Sequence, residues 1–375
     1  MIVLVTGSAG FLGRNLCATL DQRPGVEVRG HDRGDSTEAL LSALREAEVV
    51  FHLAGVNRPE TVDEFDAGNA GATGEILQGL AREGRAPKVV LSSSIQAERG
   101  NPYGASKRKA EEALRQYCEI TGAEGIAHRL KNLFGKWSRP NYNSVVATFA
   151  DAIANDRPYR VSDPANVVDL TYIDDVVADF VAELERPTRP GFRFAEPLPS
   201  HPVSLGELVD LLQGFREQRK SLQIPDFSSP FLRALYATYL SYLPPEAAGY
   251  QLDVKADARG SLAEFLKSPS FGQIFVSRTK PGVTRGNHWH HTKVEKFLVV
   301  EGDGLVRQRQ VHGDRVVEFR CSGHEFRVVE TLPGYTHSIE NIGQMDMVTL
   351  FWASEVFEPG RPDTYFDPVL PPVGN

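Results

Sequence analysis

The chain has 375 residues, with 41 Lys+Arg against 49 Asp+Glu and a net charge of −8. At about 150 residues per domain this length suggests two or three domains, and 41% hydrophobic with 24% charged residues is a globular composition, not a disordered or fibrous one. The mild acidity argues against a nucleic-acid partner, which wants a basic stripe, and against an anionic membrane surface. Cys17, Cys118 and Cys321 are odd in number and far apart, so no disulfide framework or CxxC zinc knuckle is read, and free thiols suit a reducing cytoplasm. No apolar run reaches the roughly 20 residues of a membrane helix; the 231–243 stretch is short and contains Arg233. Met1 leads straight into an apolar run and a glycine loop, without the basic region or cleavage site of a signal peptide, so secretion is not expected.

In chain order, residues 2–5 predict a buried strand, followed by a glycine turn and a helix over 12–21. Strands are expected at 26–30, 49–53, 89–92 and 125–129, and helices at 38–47, 70–83 and 106–121. Strands alternating with helices imply a doubly wound, Rossmann-type parallel sheet covered on both faces. After about residue 245 the pattern changes. Strands are expected at 271–278, 296–300, 306–311, 315–319, 325–329 and 347–352, separated by turn signals such as Lys-Pro-Gly and Leu-Pro-Gly. That is the grammar of an all-β barrel or jelly roll. The Pro-Pro at 244–245 marks the boundary between domains 1–245 and 246–375.

Thr6-Gly7-Ser8-Ala9-Gly10-Phe11-Leu12-Gly13 lies between the first strand and its helix. Glycines there let the backbone turn tightly and approach a pyrophosphate, which meets the unpaired N–H groups of the helix N-terminus. Gly7, Gly10, Phe11, Leu12 and Gly13 are therefore candidate dinucleotide contacts. The second strand ends at His31-Asp32-Arg33, where Asp32 suits a ribose hydroxyl and Arg33 a 2′-phosphate. Further on, Tyr103 and Lys107 stand at i and i+4 where a helix opens, and so share a face. An ammonium beside a phenol favours the phenolate, making Tyr103 a candidate general acid/base. Ser92-Ser93-Ser94 closes the preceding strand within reach of the same oxygen. Asn132, Arg139, Asn141 and Asn143 follow a later strand, where crevices of open α/β sheets take ligands; Arg139 suits a diphosphate.

The second half carries Gly282-x5-His288-Trp289-His290-x4-Glu295-x6-Gly302, with His337 on a later strand. Histidines at i and i+2 on a strand face the same way. Three imidazoles and a carboxylate, from His288, His290, Glu295 and His337, suit a divalent transition metal. His291, His312 and His324 are left as non-ligands.

These motifs carry two resemblances. The first half resembles an extended short-chain dehydrogenase/reductase: TGxxGFxG, His52-Leu53-Ala54-Gly55, Asn69, the serine run, YxxxK, Arg129-Leu130-Lys131-Asn132 and Tyr172-Ile173-Asp174-Asp175 fall in that family's order. The likeness implies Ser94, Tyr103 and Lys107 as catalytic residues, with Lys107 also holding the nicotinamide ribose, and Leu53 and Ala54 at the cofactor. Only eight residues separate Ser94 from Tyr103, so a substrate-facing loop is short. Ile95-Gln96 replaces the Asp-Glu pair of the family's dehydratases, which favours plain hydride transfer. The second half resembles a cupin: the 282–302 stretch matches the first cupin motif without gaps, and His337-x3-Asn341 matches the end of the second.

The fused order is similar to the CapF/WbjC family of bifunctional capsular polysaccharide and O-antigen enzymes. That resemblance implies a C3 epimerisation of a UDP-2-acetamido-2,6-dideoxy-4-ketohexose in the cupin. NADPH reduction of the C4 ketone follows in the first domain, giving UDP-2-acetamido-2,6-dideoxy-L-talose, a precursor of UDP-N-acetyl-L-fucosamine. It also implies a homodimer with zinc in the cupin. His290, Tyr335, Lys296 and His324 are the candidate acid and base there. The alternative is a monofunctional 4-ketoreductase whose cupin is a metal-stabilised dimerisation module. From the residues alone the metal is zinc, iron or manganese, and structural or catalytic.

Overall fold

A computed structural model describes residues 1–360 and 362–370. The chain divides into two compact units, one of residues 1–213 with 230–244 and the other of 214–229 with 245–375.

The first unit contains β1 (Ile2–Thr6), β2 (Glu27–His31), β3 (Val49–His52), β4 (Lys88–Ser94), β5 (Glu124–Leu130), β6 (Asn132–Phe134), β7 (Val167–Tyr172), β8 (Gly191–Phe194) and β9 (His201–Ser204). Six of these form one parallel sheet in the order β2-β1-β3-β4-β5-β8. Alternation along the strands sorts the core into two layers. Leu4, Val50, Val89, Leu91 and Ala127 pack against Leu44, Leu80 and Leu114 on one face. Val3, Val5, Phe51, Val90 and Ile126 pack against Leu16, Ile173, Val177 and Phe180 on the other. β3 and β4 are buried along their whole length, as central strands covered on both faces must be. The chain moves from β1 outward to β2, then returns to place β3 on the other side of β1. The strand order therefore reverses at the carboxyl ends of β1 and β3, where such sheets bind ligands.

Several elements were not expected from the sequence, among them the helices Val145–Ala154, Ile173–Glu185 and Leu205–Ser221. β8 adds a sixth strand, and β6, β7 and β9 form a separate small sheet. A six-residue π-helical segment, Asp66–Gly71, precedes the helix Ala72–Arg82, whose register follows the expected one.

The second unit contains β10 (Val254–Asp257), β11 (Gly260–Ser268), β12 (Gly272–Thr279), β13 (Thr284–Trp289), β14 (Glu295–Glu301), β15 (Asp303–Gln310), β16 (Val316–Ser322), β17 (Val328–Glu330), β18 (Tyr335–Asn341), β19 (Met347–Ala353) and β20 (Tyr365–Phe366). Two antiparallel sheets result, β10-β11-β12-β19-β14-β17 and β16-β15-β18-β13-β20. Phe297, Val299 and Phe351 from the first sheet meet Val306 and Ile339 from the second in one core. The strand expected at 325–329 is corrected to Val328–Glu330, because Phe326 adopts φ 47° and belongs to the preceding turn. β10 and β11 were not anticipated. Buried Asn341, at the end of the second histidine motif, staples a loop: its amide donates to Thr279 O and Met345 O at 2.8 Å each and accepts from Gly343 N–H. Among the described residues no helix is long and apolar enough to cross a membrane.

Candidate active sites

The first site is built on the ends of β1, β3 and β4. The helix Phe11–Leu20 opens at Gly10, which offers no side-chain cap, so the N–H groups of the first turn face the loop. A Cβ at Gly13 would stand 2.1 Å from Gly7 O and 2.7 Å from Ser8 Cα, so this packing of helix on loop requires glycine. An uncapped helix end over a glycine loop too tight for side chains fits a pyrophosphate. Leu53 N–H donates to Thr6 O at 3.1 Å and Ala54 N–H to Thr6 Oγ1 at 3.4 Å, which places both beside the loop.

Asp32 is placed differently from expectation. Its carboxylate accepts from Ala9 N–H at 2.9 and 3.1 Å and from the Ser8 hydroxyl, so it ties down the glycine loop instead of facing outward. Arg33 is exposed, and its guanidinium has no hydrogen bond or ion pair among the described residues.

A buried polar chain connects this loop to the YxxxK helix. Thr6 Oγ1 lies 2.7 Å from His52 Nδ1, and His52 Nε2 lies 2.9 Å from Thr73 Oγ1. Thr73 gives its own proton to Asn69 O at 2.8 Å, so the network assigns the proton of the imidazole to Nε2. Burial, and then the charge of Lys107, push the His52 pKa down to about 3, so the ring is neutral. Asn69 continues the chain: its amide donates to Ser106 Oγ at 3.0 Å and to Val56 O at 3.1 Å. Sequence reasoning listed His52 and Asn69 only as motif letters. Their role in joining the cofactor loop to the catalytic helix follows from the fold.

The helix Pro102–Thr121 begins with Asn101 as N-cap and Pro102 in its first turn. It carries Tyr103 and Lys107 to the end of β4, where the Tyr103 side chain comes close to Ser94. Lys107 is buried and donates to Ser92 O at 3.0 Å. Burial pushes its pKa down to about 8, against a smaller upward pull from Glu111. The expected lowering of the Tyr103 pKa by Lys107 is corrected: burial raises it, and the hydrogen bond with Ser94 is what opposes the rise. Tyr103 is thus a phenol over the neutral pH range, suited to donating a proton. Glu111, one turn beyond Lys107 and buried, accepts from the Ser93 hydroxyl and from Arg129 at 2.9 and 2.7 Å, anchoring the helix to β4 and β5.

The candidate substrate residues lie on exposed surface past β5. Asn132 donates to Asp169 O at 3.3 Å, and Asn143 immediately precedes the Ser144 cap of the next helix. The Arg139 guanidinium stands 5.6 Å from the Tyr142 ring, and Arg58, which the sequence reading passed over, stands 5.9 Å from the same ring. Asn141 has φ 56° and donates its N–H to Thr148 Oγ1.

In the second unit the four candidate ligands converge, with their donor atoms within 4.8 Å of one another. Antiparallel pairing of β13 with β18 sets His288 opposite His337. A bulge between Gly286 and His288 re-aims the strand end, with Gly286 at φ 93° and too close to His337 O for a Cβ. His290 lies just past the end of β13, so simple strand alternation is not what brings it in. Glu295 Oε2 is 3.4 Å from His290 Nε2 and 3.3 Å from His337 Nε2. Metal bonds of about 2.0–2.2 Å set tetrahedral neighbours at about 3.4 Å, so this spacing fits. The two Nε2 atoms are buried and have no hydrogen-bond partner. Their Nδ1 atoms face backbone carbonyls, of Asp363 for His290 and Tyr335 for His337, which leaves each Nε2 as the free lone pair. Burial, then His337, push the His288 pKa down to about 4. Glu295 is held below the usual carboxylate range: burial raises it, and its contacts with His290 and His337 outweigh that.

The cluster opens into a 250 Å³ cavity whose walls include Phe275, Phe297, Phe351 and Ser277. The acid/base candidates Tyr335, Lys296 and His324 do not line it. Lys296 pairs with Glu330 on the outer side of its strand, and His324 is exposed. Asp363, outside every motif, was missed. Its carboxylate accepts from the N–H groups of His291, Thr292 and Lys293 at 2.9 Å each, while its carbonyl meets His290 Nδ1.

Comparison with known proteins bears on both sites. Residues 3–192 match the NAD dependent epimerase/dehydratase family, and residues 255–365 match the Polysaccharide biosynthesis C-terminal domain. The UDP-2-acetamido-2,6-beta-L-arabino-hexul-4-ose reductase of Pseudomonas aeruginosa is 44% identical over 97% of this chain and 98% of its own. The capsular polysaccharide assembling protein CapF of Staphylococcus aureus superposes with a TM-score of 0.91 and 45% identity, covering 98% of this chain and all of that one. A structure of CapF with the inhibitor 3-isopropenyl-tropolone has a TM-score of 0.84 and 42% identity, over 98% of this chain and 100% of that one. A Rossmann-like sheet with a glycine cradle implies a nicotinamide cofactor in such a family. The chain belongs to the NAD dependent epimerase/dehydratase family, and within it is a CapF-like nucleotide-sugar oxidoreductase carrying a polysaccharide biosynthesis C-terminal domain.

Proposed function

We propose that the chain is a bifunctional nucleotide-sugar enzyme. Its second unit inverts C3 of a UDP-2-acetamido-2,6-dideoxy-4-ketohexose, and its first unit reduces the C4 ketone with NADPH to UDP-2-acetamido-2,6-dideoxy-L-talose. The observation that carries this reading is the coexistence, in one chain, of the Ser94–Tyr103–Lys107 constellation and a buried three-histidine, one-carboxylate cluster opening into a cavity. The name of the Pseudomonas relative supplies the sugar class, and family likeness supplies the homodimer.

One ketone serves both steps. It acidifies the neighbouring C3–H, so a proton can leave and return on the other face, and it is also the hydride acceptor. In the reductase, Tyr103 gives its proton to the C4 oxygen as hydride arrives at C4, Ser94 fixes that oxygen through its hydroxyl, and Lys107 holds positive charge beneath the pair. In the second unit, His288, His290, Glu295 and His337 would hold zinc, which supplies polarisation of the ketone and charge stabilisation for its enolate. Phe275, Phe297 and Phe351 make part of the wall apolar, which strengthens those interactions.

Engagement of Asp32 by the glycine loop supports NADPH over NADH. A carboxylate already accepting from Ala9 and Ser8 is a poor acceptor for a ribose hydroxyl, while the guanidinium of exposed Arg33 suits a 2′-phosphate. The test is incubation with a panel of UDP-4-ketosugars and NADPH in deuterated water, with products read by NMR. Deuterium at C3 together with the reduced 4-hydroxyl supports both halves; reduction without deuterium removes the epimerase.

Two further outcomes are expected. The Lys107 ammonium, with its pKa pushed down to about 8, is protonated below that pH and lost above it, while burial keeps Tyr103 protonated well beyond. The kcat/KM for reduction should therefore fall on a basic limb near pH 8, and the limb should disappear in Lys107→Arg if that variant turns over. In the second unit, Asp363→Ala removes the carboxylate that clamps three amides beside His290. Zinc affinity, measured by competition with a chromophoric chelator, should drop about 10- to 100-fold, as for other residues that orient a ligand from behind.

A further inference from the structure

The cavity over the histidine cluster has two arginines in its wall, Arg259 and Arg285. Arg285 lies on β13 and is partly buried. Its Nε is buried without a hydrogen-bond partner, and among the described residues its guanidinium forms no ion pair. Arg259 stands at the turn between β10 and β11. It takes the nearby carboxylate for itself, with Nε and one terminal nitrogen on Asp257 Oδ2 at 3.0 and 2.6 Å. Arg285 thus shares the field of one carboxylate with Arg259 and forms no direct pair with it; burial and then Arg259 lower its pKa, against a smaller upward pull from Asp257. Buried charges are normally paired, and buried N–H groups are normally satisfied. Two arginines in one cavity wall, Arg285 with a buried unused donor and Arg259 exposed at the rim with Asp257, suit an anion with several oxygens.

Size says which part of a ligand the cavity takes. At 250 Å³ it is smaller than the roughly 300–1,000 Å³ of pockets for drug-sized molecules, so it has room for a sugar ring and not for a whole nucleotide sugar. The rest of such a ligand must leave past the wall.

We propose that Arg285 and Arg259 form a diphosphate clamp for the second site, holding the two phosphates of a UDP-sugar while its sugar ring lies against His288, Glu295 and His337. This rests on the bifunctional reading for the identity of the ligand. It adds that the second unit has its own anion site and does not borrow the nucleotide contacts of the first.

The test uses the full chain with cobalt(II) in the histidine cluster and UDP as probe. Phosphorus relaxation of UDP should be enhanced over a zinc-loaded control, because only phosphates near the cluster feel the paramagnetic ion; UDP elsewhere on the chain contributes equally to both. Arg285→Gln should weaken the titrated enhancement about 10- to 100-fold, the loss expected for charge-assisted hydrogen bonds. Arg259→Gln should weaken it too, and Arg285→Lys should restore part of it. Metal stoichiometry and the cobalt visible spectrum must match in all variants, which separates loss of the clamp from loss of the fold. An absence of enhancement in the unmodified chain overturns the proposal, as does an Arg285→Gln titration that superposes on it. Relaxation does not depend on turnover, so a clamp can stand where C3 deuterium exchange fails, and exchange can stand where the clamp fails.

Discussion

Tyr103→Phe should lower the rate of NADPH-dependent ketone reduction by about 10²- to 10⁴-fold, the range supplied by a positioned general acid. The phenylalanine keeps the ring that packs at 5.7 Å from Phe65, so the helix start and its Asn101 cap stay in place. What disappears is the hydroxyl beside Ser94. NADPH binding should be unchanged, because the glycine cradle and Lys107 lie on other elements or a turn away, and fluorescence titration of the cofactor checks this. Deuterium entry at C3 should continue, since that chemistry is assigned to the other unit. Unchanged turnover in Tyr103→Phe would remove the reductase mechanism altogether. Ser94→Ala should cost less than Tyr103→Phe, because it orients the oxygen without supplying the proton.

The two sites were unequally legible in the sequence. Local order fixed the first: a strand, a glycine turn and a helix follow one another within twenty residues, and Tyr103 and Lys107 are one helical turn apart. The periodicities that reveal them act at short range. The metal cluster was legible through residue type, since three histidines and a glutamate share a chemistry even when β13, β14 and β18 lie far apart in sequence. What escaped notice depends on long-range pairing. Asp363 approaches His290 only because the chain returns to β13 at β20. Arg285 becomes unusual only once its Nε is seen to be buried without a partner. Asp32 carries contacts that its position alone does not reveal. Its position at the end of β2 was read correctly, but no sequence pattern reveals that Ala9 N–H and Ser8 have already claimed its oxygens. The small β6-β7-β9 sheet failed for a related reason: strands of three, six and four residues from distant segments have little periodicity of their own.

Removal of the metal separates the two roles open to the second unit. In the bifunctional reading, dialysis against a strong chelator should reduce C3 deuterium exchange by at least about 10²-fold, the typical cost of losing stabilisation of a developing oxyanion. Reduction of a ketosugar already inverted at C3 should persist, because Ser94, Tyr103 and Lys107 belong to the other unit. His337→Gln gives the same result without a chelator, and two observations make it a severe substitution. Its Nε2 is buried with no partner other than the clustered ligands, and His337 pairs directly with His288 across β13 and β18. Stability should fall as well. Without an ion, buried Glu295 and three imidazoles lose the charge that matches them, so the melting temperature drops in both preparations. The diagnostic measurement is therefore exchange at a temperature well below either transition. If exchange is retained there while the melting temperature falls, the cluster is a structural staple and the second unit a dimerisation module. If exchange is lost with the fold intact by circular dichroism and returns on adding zinc, the cluster participates in the inversion.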